Sequence, residues 1–195
     1  MREVVDRLGR PPVEMLDEEI AWYGRKRSYR RVALGCLAGL ITTAAVIVLI
    51  TNLWLAVLQV DGSSMQPLLQ MGEIVVAVRK DNPERKDVIA FTHNDQIYIK
   101  RVIAVGGDQV DIRQDGRVFV NDTVLREPYV AEPCLGSCDI EFPFQVAAGT
   151  VFVLGDNRSV SLDSRDSRFG PVDRERIIGK AVFRMWPLPR LGSIS

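Results

Sequence analysis

A mainly β protein, an antiparallel β-sandwich or partly open barrel behind a single N-terminal transmembrane helix, is the fold class this sequence predicts. Three observations carry it. Residues 32–60 contain no charged side chain. Beyond them the chain breaks into short runs of β-branched residues separated by Gly, Asn, Asp or Pro, and no helical periodicity recurs. A length of 195 residues leaves room for one ordinary domain plus an arm and an anchor. The expected division is residues 1–31 as a cytoplasmic arm, 32–58 as the transmembrane helix, and 59–195 as an extracytoplasmic β-rich domain.

The arm is polar and carries Pro11-Pro12, then a weakly amphipathic stretch at residues 14–23 with Met15, Leu16, Ile20 and Trp22 on one helical face. It closes with Arg25, Lys26, Arg27, Arg30 and Arg31. About 20 apolar residues cross a bilayer as a helix, so the run that follows is long enough to span. A cleaved secretory signal would have an apolar region of about 7–15 residues and a small-residue cleavage site; this run is longer and lacks one. Basic residues stay on the cytoplasmic side, and the first charges after the run are Asp61 and Glu73, so the C-terminal portion faces away from the cytoplasm. Trp54 suits the outer interface.

Seven strand-like runs follow, at residues 73–79, 87–91, 96–104, 109–113, 117–120, 150–154 and 177–185. Their short spacing favours an antiparallel arrangement over βαβ units. Gln114-Asp115-Gly116 is a hairpin turn between the fourth and fifth. Residues 126–149, with three prolines and two cysteines, read as an excursion from the sheet.

Composition narrows the chemistry. Lys plus Arg and Asp plus Glu balance at 25 each, so no strong field draws the protein to nucleic acid. The only histidine, His93, lies in the hydrophilic turn Thr92-His93-Asn94-Asp95, a poor seat for the base of a Ser-His-Asp triad and best read as a solvated residue. One histidine and two close cysteines do not make a usual zinc set, and no Gly-rich phosphate loop occurs. Cys36 lies in the apolar run; Cys134 and Cys138 either close a small disulfide loop or stay free thiols.

Ser64, a few residues beyond the span, reaches only what also lies at the membrane surface. If it is a nucleophile, its base is a carboxylate or a lysine whose pKa burial lowers. Lys100 fits, because strand alternation in Ile97-Tyr98-Ile99-Lys100-Arg101-Val102-Ile103 sets it on one face with Tyr98 and Val102. Arg101 points the other way and needs a carboxylate.

These residues resemble the type I signal peptidases, the bacterial membrane-bound Ser/Lys proteases that remove signal peptides. Ser64-Met65-Gln66-Pro67 resembles their Ser-Met-x-Pro box, and Tyr98-Ile99-Lys100-Arg101-Val102 their lysine box. Gly106-Gly107-Asp108 stands where Pro-Gly-Asp is usual. Gly155-Asp156-Asn157, followed by Ser161-Leu162-Asp163-Ser164-Arg165, resembles the last signature. The boxes occur in family order over most of residues 58–186. The resemblance implies Ser64 as nucleophile, Lys100 as general base, Ser161 as the hydroxyl that orients the lysine, and Arg101, Asp156, Asp163 and Arg165 as supporting ion pairs, Arg101 with Asp156. It implies no cofactor and no metal. The partners it implies are preprotein signal peptides cleaved after Ala-x-Ala, at membrane lipid near the secretion translocon. Gly62 departs from the pattern where some relatives carry an oxyanion-holding serine, and Leu68 replaces a common threonine. Two other readings use the same residues: a Ser/Lys protease with a dedicated substrate, and a non-enzymatic membrane-anchored β domain that binds a partner.

Overall fold

The structure, a computed structural model, describes residues 13–79 and 82–194. Residues 1–12 of the expected arm, and Lys80, lie outside them. The chain divides into two compact units, one ending at Thr51 and the other running Asn52–Ser195.

Helix α1 runs Val13–Trp54, 42 residues in one piece, so the stretch at 14–23 and the apolar run are one element. No proline falls between residues 13 and 54 to interrupt its hydrogen bonding. Its segment Val32–Leu49 is long and apolar enough to cross a membrane and is exposed throughout. The helix stops before residue 58. Residues Leu55–Gln59 instead form strand β1, paired antiparallel with β2 (Ile74–Val78), Val57 opposite Val76. An uninterrupted apolar run carries no period that separates helix from strand, and the cross-strand partners decide it.

The second unit continues with β3 (Val88–His93), β4 (Gln96–Val105), β5 (Gln109–Ile112), β6 (Val118–Val120), β7 (Thr123–Val124), β8 (Phe144–Gln145), β9 (Thr150–Leu154), β10 (Val172–Asp173), β11 (Ile177–Trp186) and β12 (Gly192–Ser193). All seven expected strands are present. Strand β8 comes from the end of the expected excursion, where Phe144 pairs with Val110 of β5. The larger sheet has the order β1-β2-β11-β3-β4-β9-β10, with β12 on β11; the smaller is β7-β6-β5-β8. Every pairing is antiparallel and neither sheet closes into a barrel.

Period-two alternation explains the packing. Ile103, Phe152 and Leu154 of the large sheet share one core with Val110, Ile112, Val118 and Val120 of the small one. A second core joins Met65 and Leu69, from the turn after β1, to Val75, Val88 and Ala181. A third holds Ile89, Phe91, Val102 and Val153. Strand β4 touches all three, with Tyr98 and Val102 on the third core, Ile99 on the second and Ile103 on the first.

Candidate active site

Ser64 sits in the turn between β1 and β2. That turn is anchored from below: Met65 and Leu69 are buried, and the Leu69 N–H donates to the Met65 carbonyl at 2.9 Å. Ser64 itself remains half-buried beside a cavity of about 430 Å³. Residues 59–62 and Met65 form one wall of the cavity, and residues 96–99 of β4 the other. Gly62 has φ +105°, a backbone region that side chains rarely adopt. A serine there would be strained, which gives the departure at Gly62 a local cause.

Lys100 is 2% exposed and lies opposite Ile89 of β3, on the face that carries Tyr98 and Val102. Burial in this apolar setting lowers its pKa from 10.5 to about 8; the Asp163 carboxylate opposes the drop and the Arg165 guanidinium assists it. Its Nζ donates to Ser161 Oγ at 3.0 Å.

Ser161 is carried on the loop that leaves β9. Gly155 opens this loop at a close approach: a β-carbon there would lie 2.3 Å from Ser161 Oγ and 2.5 Å from the Ser64 carbonyl oxygen. Only glycine lets the two segments meet. The Asn157 N–H donates to the Ser64 carbonyl at 3.0 Å, and Asn157 Nδ2 to the Ser63 carbonyl at 3.3 Å. The Ser64 turn and the hydroxyl partner of Lys100 are thus held by one short loop.

Charged groups fix that loop. Arg101 makes a two-pronged pair with Asp156, with Nε and Nη2 each 2.8 Å from a carboxylate oxygen. Arg165 grips Asp163 at 2.8 and 2.9 Å, and Asp163 also accepts the Gly155 N–H at 3.0 Å. All four side chains are 2% exposed or less. Removing one member of such a pair strands a buried charge, at a cost of about 3–5 kcal/mol. Three further members, Arg158, Glu127 and Tyr129, were not read from the sequence. Arg158 pairs with Glu127, whose carboxylate also accepts the Tyr129 hydroxyl at 3.0 Å. The Tyr129 ring lies 3.8 Å under the Arg101 guanidinium. Burial and the Glu127 carboxylate push the Tyr129 hydroxyl pKa upward, so it stays a donor. Glu127 and Tyr129 belong to the irregular segment, where no periodicity marks a residue as buried. The one cue was that a buried Arg158 would need a carboxylate.

His93, read as a solvated turn residue, is only partly exposed. It is half-buried, stacked on Phe169 at 4.4 Å and edge-on to Tyr98. Cys36, Cys134 and Cys138 are free thiols. Among the described residues no group of three or more His, Cys, Asp or Glu is placed to hold a metal ion.

A family described as signal peptidase, peptidase S26, matches residues 34–186. The thylakoidal processing peptidase 1 of Arabidopsis thaliana is 39% identical over 145 residues, covering 66% of this chain and 41% of that protein. A probable signal peptidase I-2 of Synechocystis is 35% identical over 70% of this chain and 65% of its own length. Signal peptidase IB of Staphylococcus aureus is 35% identical over 66% of this chain and 76% of its own. The chain therefore spans about two fifths of the plant relative and just under two thirds of the cyanobacterial one. A solved signal peptidase I from Enterococcus faecalis aligns at 33% identity with a TM-score of 0.44, over 51% of this chain and 96% of that one.

Proposed function

The chain belongs to the signal peptidase family, peptidase S26, and from that premise we propose that it is a membrane-anchored serine endopeptidase that removes signal peptides from exported preproteins. The observation that carries this reading is Lys100. It is the one buried lysine among the described residues, and its pKa of about 8 leaves an appreciable neutral fraction near neutral pH. It lies on the strand whose first residues share a cavity with Ser64.

Ser64 is the nucleophile and Lys100 the general base. Neutral Lys100 takes the hydroxyl proton, and the Ser64 oxygen attacks the scissile carbonyl. Backbone N–H groups of the turn, that of Ser64 among them, stabilise the oxyanion. The protonated lysine returns its proton to the leaving amine. It then activates the water that releases the acyl group. Ser161 orients the lysine, and the pairs Arg101–Asp156 and Arg165–Asp163 hold the loop that carries it.

The cavity beside Ser64 supports selection for small residues of the Ala-x-Ala kind. Residues 59–62 lie at the end of edge strand β1, and residues 96–99 of β4 pair only with β3. Each leaves a strand edge free for an extended peptide. Strand Ile74–Val78 pairs with β1 and β11, and its residues are absent from the cavity wall. Segment Val32–Leu49 anchors the protein in lipid, with the basic cluster cytoplasmic and the β domain outside, at the surface where preproteins leave the translocon.

The test uses purified full-length protein in detergent with a preprotein bearing an Ala-x-Ala site, beside Ser64→Ala and Lys100→Ala. Wild type should cleave after the second alanine, with both variants slowed by at least about 10³-fold. Cleavage by Lys100→Ala at the wild-type rate would remove the lysine from the mechanism. A folded but inert wild type would remove general signal peptide processing.

A further inference from the structure

A second cavity, of about 350 Å³, borders the Ser64 turn and shares no lining residue with the first. The first cavity is bounded by Ser64 and Met65. The second begins at Gln66 and Pro67 and continues past Asn157 and Ser159 to Glu132. An extended peptide advances about 3.3–3.6 Å per residue, so a substrate whose scissile carbonyl meets Ser64 carries residues to both sides of the turn within about 7 Å. The first cavity, with Met65, Ile97 and Ile99 in its wall, suits small apolar residues ahead of the cut. The other half of the substrate needs a separate seat.

We propose that this second cavity is a leaving-segment subsite, which holds the first two residues after the scissile bond and favours a cationic side chain there over an anionic one. The inference rests on the protease reading above. Its sign follows from which wall groups are already engaged. Asp156 gives both carboxylate oxygens to Arg101. Arg158 is taken by Glu127 and by the Gly155 carbonyl, the latter at 3.0 Å. Asn157 spends its N–H and its Nδ2 on the Ser64 and Ser63 carbonyls, and its Oδ1 accepts the Ser159 hydroxyl at 3.0 Å. Glu132 is exposed and, among the described residues, makes no ion pair. It is the wall's one uncommitted charge. An exposed carboxylate discriminates weakly, so the preference should be a few-fold.

Three preproteins identical except for Lys, Ala or Glu at the first residue after the cut, and a parallel set varied at the second, would be cleaved by full-length wild type, Glu132→Gln and Glu132→Lys. The readout is the ratio of kcat/KM for the Lys and Glu substrates within each protein, so general losses cancel. At one of the two positions wild type should favour Lys about threefold, Glu132→Gln should show little preference, and Glu132→Lys should favour Glu about threefold. Salt at about 1 M should flatten all three ratios. Ratios that stay the same across the three proteins at both positions overturn the subsite and leave the protease reading intact. Failure of wild type to cleave any of the substrates overturns both.

Discussion

At the scale of single residues, the role proposed for Lys100 sets stability against function. Its ordinary pKa of 10.5 is lowered to about 8 chiefly by burial. Below about pH 8 the lysine is charged in both folded and unfolded chains, so the folded state bears the full desolvation penalty. Between about 8 and 10.5 the unfolded chain binds the extra proton, and stability rises with pH. The penalty relieved is roughly 3 kcal/mol. Lys100→Met removes it but leaves Ser161 Oγ without its donor, a loss of about 1 kcal/mol. The variant should therefore be inactive yet about 1–2 kcal/mol more stable than wild type at pH 7, with the advantage fading towards pH 10. Denaturant titrations at pH 7 and pH 10 measure it; a variant less stable at both would mean that the lysine is not desolvated. For wild type, kcat/KM should rise tenfold per pH step below about 8 and level off above it, because only the neutral amine is a base.

At the scale of elements, strand β4 and the loop after β9 differ in how far the sequence exposes them. The face shared by Tyr98, Lys100 and Val102 is legible, because a strand's period of two is fixed by backbone geometry and β4 is long. The end of α1 was not legible, since Leu55-Ala56-Val57-Leu58-Gln59 is as apolar as the helix before it and becomes a strand only through its pairing with β2. Nor were Glu127 and Tyr129, whose burial comes from an irregular segment folding over Arg101 and Arg158. His93 escaped for a similar reason: a polar turn in the sequence is covered by Phe169, 76 positions further on. Within the loop after β9, Gly155 is the critical point. In Gly155→Ala the added carbon would collide with the Ser64 carbonyl and with Ser161, and neither can move without disturbing the Ser64 turn or Lys100. A displacement of about 1 Å is enough to cost on the order of 10²-fold in rate. The variant should lose kcat by about that factor with KM changed little and the circular dichroism of the sheets retained; unchanged kcat would show that the loop and the turn are not coupled.

For the whole molecule, the proposed function assigns chemistry to one of the two units and address to the other. All three apolar cores of the second unit are built from residue 58 onward. The β unit has what it needs to fold on its own, and in the proposed reading the exposed apolar helix contributes location. A chain beginning at Asn52 should therefore unfold cooperatively with a Tm within a few degrees of the full-length protein. It should also cleave a short soluble Ala-x-Ala peptide at a similar rate. On a preprotein embedded in lipid vesicles the comparison should come apart. Tethering both partners to one surface raises their effective concentration, an advantage of order 10²-fold that the truncated chain forfeits. Parallel assays on the two substrates measure this. Equal losses on both would mean that the helix shapes the site itself, and equal rates on both would mean that the anchor adds nothing to encounter, so the selective loss alone supports a division of labour between the two units.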